Sequence, residues 1–258
     1  HLLEHPVNAF INVDLGAHRT GVNPFEFQAI DNLIRVMGKT RKITFRGFLS
    51  HAGQSYNCRS HSEIILVHDH SMGIMQKLYE RYCAAYPGIQ ISVGDTPTCS
   101  VCEGFSPATE IRPGNFVFYD LTQSLITSCL KEDIAVAVAC PVVAKHKDRN
   151  EIILYGGGIH FSKEFLLFED GHRSYGAMVQ TEGKGWGAAM EGCYVSKLSQ
   201  EHGTLKVTGE VFTKVNTGEI VMILPVHSCM TVDLMGRYLT TDGRRIECMD
   251  KRKEYFAG

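Results

Sequence analysis

Apolar residues recur along the first half of the chain in two rhythms, and these predict strands and helices in turn. Phe10–Gly16 is a short apolar run ending in glycine, a strand by its pattern. From Pro24 to Met37 the residues Phe27, Ile30, Ile34 and Met37 fall at helical spacing, with Gly38 as a stop. Ile43–Ser50 is expected as a second strand. A long helix follows over 62–85, with Ile65, Met72, Met75, Leu78 and Tyr82 as its core face, and Pro87–Gly88 closes it. Ile89–Val93 and Ile111–Phe118 are expected as the third and fourth strands. Such alternation implies a parallel sheet or barrel.

After Lys131 the pattern changes. Ile134–Val143, Glu151–Tyr155, Leu205–Phe212 and Glu219–Val226 are short β runs between Gly, Asn and Asp turns. The expected organisation is a βα domain over 1–130 and a mostly β domain over 131–258. In the second half, Ile223–Val232 is expected as one strand that carries His227 and Cys229 two residues apart. Pro225 fits the start or edge of such a strand. Alternate residues of a strand face one side. An imidazole and a thiolate there suit a zinc ion. The same pattern also describes a core strand with a satisfied histidine and a cysteine acting as a small hydrophobe.

Chemistry in a parallel βα barrel gathers on the loops at the C-terminal ends of its strands. Here those loops hold Asp14–Gly21 with Arg19, His51–Tyr56, and Gly94-Asp95-Thr96-Pro97-Thr98; Arg112-Pro113-Gly114-Asn115 opens the fourth strand. Gly94–Thr98 and Gly114-Asn115 read as phosphate cradles, because glycine admits close approach and backbone N–H groups form an anion nest. Each alone is also an ordinary turn. Arg112, in an apolar strand, needs a partner for its guanidinium.

Composition narrows the classes. With 26 basic and 28 acidic residues the charge is near balance, so nothing suggests nucleic-acid binding or an anionic membrane surface. No apolar run reaches the ~20 residues of a membrane span. Nine cysteines in no framework spacing point to reduced thiols and a cytoplasmic protein. Cys99 and Cys102 form a C-x-x-C with no second pair, a weak sign of redox or zinc chemistry. His68 and His70 are expected on a solvated helix surface.

Four runs together carry a family resemblance: Asp14–Gly21, Gly94–Thr98, Glu110–Asn115 and Pro225–Cys229. They resemble the alanine racemase-like enzymes dependent on pyridoxal 5′-phosphate (PLP), in the branch of D-threonine aldolase and metal-dependent D-serine dehydratase. The resemblance implies an α/β fold: the C-terminal part of a PLP-binding TIM-type βα barrel, then a β domain carrying a metal site, in a homodimer. It implies that Arg19 approaches the phenolic oxygen of PLP, that His51 lies beside the pyridine ring with Tyr56 near it, and that Gly94, Asp95, Thr96, Gly114 and Asn115 hold the phosphate. Arg112 matches the racemase-type arginine that faces the pyridine nitrogen and weakens the ring as an electron sink. His227 and Cys229 match the metal pair, with zinc expected and manganese as the alternative.

The family's Schiff-base lysine has no counterpart in these residues, so an N-terminal segment or companion chain is expected to supply it with the first strands of the barrel. The implied activity is a lyase acting on D-β-hydroxy amino acids, by D-serine dehydration or D-threonine retro-aldol cleavage. A racemase using Tyr155 or Tyr175 as base, or a PLP-binding protein without turnover, are the rival expectations.

Overall fold

Four strands, β1 (Val7–Val13), β2 (Ile43–Ser50), β3 (Gln90–Val93) and β4 (Glu110–Ile111), pair in chain order and all run parallel. Helices α1 (Phe27–Met37), α2 (His61–Tyr82) and α3 (Thr96–Val101) follow the first three strands. The computed structural model describes residues 5–248. The chain divides into two units, His1–Phe116 with Ile126–Ser128, and Val117–Leu125 with Cys129–Gly258. The four-stranded sheet lies in the first.

Apolar positions on the strands and on two helices make this unit's core. Ile11, Val13, Phe48, Ile91 and Val93 from the sheet meet Ile30 and Ile34 of α1 and Met72, Met75 and Leu78 of α2. Each such side chain, once fully buried, contributes about 1.5–3 kcal/mol. Helix α2 starts where Ser60 accepts a hydrogen bond from the Glu63 N–H, and the Glu63 carboxylate in turn accepts the Arg59 N–H at 2.6 Å. The first bond satisfies a donor that a helix start otherwise leaves open, and the second fastens the residue before the cap to the first turn.

Three expectations here are corrected. Met72, Met75, Leu78 and Tyr82 of α2 are buried as expected, but at the start of the helix the buried residue is Ile64 and the expected Ile65 is exposed. His68 lies on that same buried stripe with its ring edge-on to Phe105, centroids 4.7 Å apart, and is no surface residue. The fourth strand is two residues long rather than eight. Pro113 lacks the N–H a ladder needs, and the chain turns into a 3-10 turn at Asn115–Val117. Cys99 and Cys102 sit on and just after α3 as free thiols. Burial pushes the Cys102 thiol up to about 11, away from thiolate chemistry.

The second unit begins at Val117, takes in α4 (Leu121–Ile126) up to Leu125 and is built on a closed barrel. Its elements are β5 (Val138–His146), β6 (Glu151–Tyr155), α5 (Gly158–Phe161), β7 (Leu166–Leu167), β8 (Arg173–Ser174), β9 (Gly176–Glu182), β10 (Gly185–Leu198), β11 (His202–Lys206), α6 (Gly209–Lys214), β12 (Ile220–Pro225), α7 (Ser228–Met235), β13 (Arg237–Leu239) and β14 (Arg245–Glu247). The barrel order is β10-β11-β6-β5-β12-β9. Alternate residues turn inward, so Val138, Cys140 and Val142 of β5 pack with Ile152 and Leu154 of β6 and Val195 of β10. The expected strand over 205–212 is instead the end of β11 followed by α6, where the Thr208 hydroxyl accepts the Val211 N–H and starts a helix. No helix among the described residues is long and apolar enough to cross a membrane.

Gly47 has φ +152° and faces β3 so closely that a Cβ there would stand 1.8 Å from the Gln90 carbonyl oxygen. Gly73 lies in α2 with nothing within 4 Å of a Cβ. Chemical denaturation should therefore separate the two: Gly47→Ala loses about 2–4 kcal/mol through strain and overpacking, and Gly73→Ala gains about 0.5–1 kcal/mol. Equal stability for the two variants would contradict the β2–β3 register.

Candidate functional site

The chemical residues of the first unit stand at the C-terminal ends of its parallel strands. After β1, the Asp14 carboxylate accepts the N–H groups of Gly16 at 2.9 Å and His18 at 3.0 Å and shapes the loop that carries Arg19. These bonds, that from Gly16 first, hold the Asp14 carboxyl below the usual range. The Gln54 amide, one turn past β2, donates to the Leu15 carbonyl at 2.8 Å and ties this loop to the next.

After β2, His51 is held in its neutral form. Burial is the largest cause, and the Arg19 and Arg112 charges push the same way against Asp95 and a bond to the Gly94 carbonyl. The Tyr56 ring lies 6.1 Å from that of His51, tilted by 35°. Arg112 finds the partners its position requires: its Nε donates to Ser92 Oγ at 2.7 Å and an Nη to the Ser50 carbonyl at 2.6 Å. Its guanidinium therefore spans the ends of β2 and β3.

The glycine-rich turns differ in detail from the expected cradles. The Asp95 carboxylate is buried and faces protein donors, accepting from Thr98 N and Thr98 Oγ1 at 2.8 Å each and from Ser55 Oγ at 2.9 Å. It caps α3 and fastens the His51 loop, so only its backbone remains for an anion. Thr96 is fully buried, and its hydroxyl accepts the Asn115 N–H at 3.0 Å. Gly94 is glycine because a Cβ would meet the Arg112 backbone at 2.8 Å, whereas a Cβ on Gly114 would stand in open space. A neutral imidazole beside two guanidiniums, with an open glycine turn near Arg112, is a donor set suited to an anionic aromatic group such as PLP.

In the second unit, the proposed metal donors are not on one strand. β12 ends at Pro225, His227 is the residue before α7, and Cys229 lies in the first turn of that helix. The cause is Asp120, a residue that sequence patterning did not single out. Its fully buried carboxylate accepts Ser228 N at 2.9 Å through one oxygen and Gln123 N at 2.9 Å through the other. It thus opens both α7 and α4, each bond of this kind being worth about 0.5–2 kcal/mol. An Asp-Leu-Thr-Gln run hints at the local cap, but Ser228 is 108 residues away.

The helix start still brings the two donors together. The His227 imidazole is hydrogen-bonded to the Cys229 side chain, which is the main reason it is pushed up to about 9, with Glu164 adding to the shift against burial. His227 Nδ1 donates to Glu164 Oε2 at 2.8 Å. An imidazole and a thiol so placed are a fit for a divalent ion that keeps other positions for water or substrate. Among the described residues no group of three or more His, Cys, Asp or Glu could hold a metal.

Comparison with known proteins agrees with these features. Residues 135–241 match the family model of the putative serine dehydratase domain. D-threo-3-hydroxyaspartate dehydratase of Delftia sp. is 28% identical over 86% of this chain and 59% of its own length. D-serine dehydratase of Schizosaccharomyces pombe is 29% identical over 92% of this chain and 58% of its own. The chain is similar to these dehydratases over most of its own length. It spans about three fifths of the length of these curated relatives.

The solved Delftia enzyme matches with a TM-score of 0.81 at 26% identity, over 93% of this chain and 64% of that one. A cysteine-to-alanine mutant of the same enzyme, in the metal-free form, matches at 0.80, 26% identity and the same coverage. An alanine racemase-like protein of Idiomarina loihiensis matches at 0.78 and 25% identity, over 93% and 64%. D-threonine aldolase of Filomicrobium marinum shares the fold at 0.72 and 16% identity, over 94% and 62%. The fold is that of the alanine racemase-like PLP enzymes.

Metal-free protein should show His227 titrating near pH 9 in NMR, above the ordinary histidine value near 6.5. Its charged form is the favoured one in the fold, so its contribution to stability is full below about pH 6.5 and lost as pH rises through 9. A midpoint at or below 6.5 would contradict the contact with Cys229.

Proposed function

We propose that this protein belongs to a PLP- and divalent-metal-dependent lyase that removes water from D-β-hydroxy amino acids, with D-serine and D-threo-3-hydroxyaspartate as the substrate class. The observation that carries the reading is the His227–Cys229 pair, held in contact at the start of α7. Support comes from the Delftia dehydratase, whose cysteine mutant is described as metal-free. The histidine changed in a further mutant of that enzyme lies two positions before that cysteine, the spacing of His227 and Cys229.

Bound PLP supplies an electron sink for the charge left at Cα when its proton is removed. His227 and Cys229 would hold a divalent ion, zinc suiting one nitrogen and one sulfur donor, and such an ion would supply a Lewis acid for the β-hydroxyl. The remaining work falls to this chain. His51, neutral at physiological pH, offers an uncharged ring face to the cofactor's ring. Arg19 and Arg112 offset the negative charge of cofactor and substrate, and Ser50 and Ser92 set the direction of the Arg112 guanidinium. The Gly114 turn receives the phosphate, and Thr96 fixes that turn through Asn115 N. Glu164 holds a proton on His227 Nδ1.

Assays of the protein with D-serine, D-threo-3-hydroxyaspartate and D-threonine separate the outcomes. Dehydration yields pyruvate or oxaloacetate with ammonia, and chelation followed by zinc should remove and restore it. His227→Ala should reduce turnover by at least ~100-fold, a loss of the size reported for removing one group that stabilises developing charge. Full activity after complete metal removal would overturn the metal role. Glycine and acetaldehyde from D-threonine, without dehydration of the other two, would replace this reading with the aldolase.

A further inference from the structure

The contact between His227 and Glu164 is not explained by stability. The Glu164 side chain is 53% exposed and that of His227 is 32% exposed, and an ion pair so open to water contributes little to folding. Yet its geometry is well defined. Ser162 ends α5 at φ +68°, and its hydroxyl accepts the Glu164 N–H at 3.2 Å. That turn aims Glu164 at the residue immediately before α7, a helix whose own start is set by the buried Asp120.

An imidazole has two nitrogens, and the one not bound to hydrogen is the one that can take a metal. A carboxylate that accepts Nδ1–H therefore decides both the tautomer and the direction of the ring. We infer that Glu164 is a positioning residue for the metal pair: its bond to His227 Nδ1 leaves Nε2 as the ligand atom and turns it to the same ion as the Cys229 sulfur. The inference rests on the metal reading of His227 and Cys229 given above. It adds that the pair alone is an incomplete site and that its affinity depends on an acid 63 residues earlier in the chain.

Competition titration of metal-stripped protein with zinc and a chromophoric chelator tests this directly, alongside the spectrum of the cobalt-loaded protein. The variants are Glu164→Ala, Glu164→Gln and, as a control on the same exposed segment, Glu169→Ala. The expected order of zinc affinity is wild type, then Glu164→Gln, then Glu164→Ala, the last weaker by about 10–100-fold. Glutamine keeps an acceptor for Nδ1–H and so retains part of the affinity. The sulfur-to-cobalt band should shift in Glu164→Ala and not in Glu169→Ala. If wild type binds zinc through His227 and Cys229 but both Glu164 variants bind equally well with an unchanged band, the positioning role is wrong and the metal reading stands. If wild type binds no zinc that His227→Ala removes, both fall together. Should Glu164→Ala fail to fold, the order of wild type and Glu164→Gln decides.

Discussion

A single buried carboxylate governs where the second unit's chemistry can be. Asp120 accepts a helix-opening N–H on each of its two oxygens, one from α4 and one from α7. Placing a carboxylate in a fully buried position is costly unless its lone pairs are filled, and two helix starts fill them with donors that would otherwise go unsatisfied. The consequence is structural: β12 cannot run on past Pro225, because the next residues are needed as the first turn of α7. His227 and Cys229 then meet across a helix start rather than along a strand.

The first unit uses the same device. Asp95 is buried, opens α3 through the Thr98 N–H and ties in the Ser55 hydroxyl of the preceding loop. Burial pushes its carboxyl up, while the bonds from Thr98 and Ser55 pull it down. Around it the strand ends are linked laterally, Gln54 to Leu15, Thr96 to Asn115, and Arg112 to Ser50 and Ser92. The loops that display His51, Arg19 and the Gly114 turn are thus braced by groups that themselves face inward. Two of the residues expected to touch a cofactor, Asp95 and Thr96, belong by their side chains to this bracing.

Much of the first unit is legible in its residues. The strands β1, β2 and β3 and both long helices follow from apolar period and from glycine and proline stops, and Glu151–Tyr155 is legible as a strand in the second unit. The rest escaped for identifiable reasons. At the start of α2 Ile64 and Ile65 are both apolar and pattern alone does not tell which is buried, and His68, a polar residue, carries no local sign that it lies on the buried side. The β9–β10 hairpin is not legible in the residues, because β10 carries Gly185, Gly187 and Gly192 among mixed polar residues and lacks clean alternation. An His-x-Cys pair reads equally well as alternate positions on a strand or as a helix start. The deciding residue, Asp120, acts from over a hundred positions away. Only local order is written in local pattern.

The proposed function requires one ion held by one nitrogen and one sulfur at the start of α7. X-ray absorption at the zinc edge of the purified, metal-loaded protein measures that shell directly. The result predicted is a single sulfur at about 2.3 Å and a single imidazole nitrogen at about 2.0–2.1 Å, completed by light atoms from water or substrate. A shell without sulfur, or one unchanged when Cys229 is replaced by alanine, would contradict it.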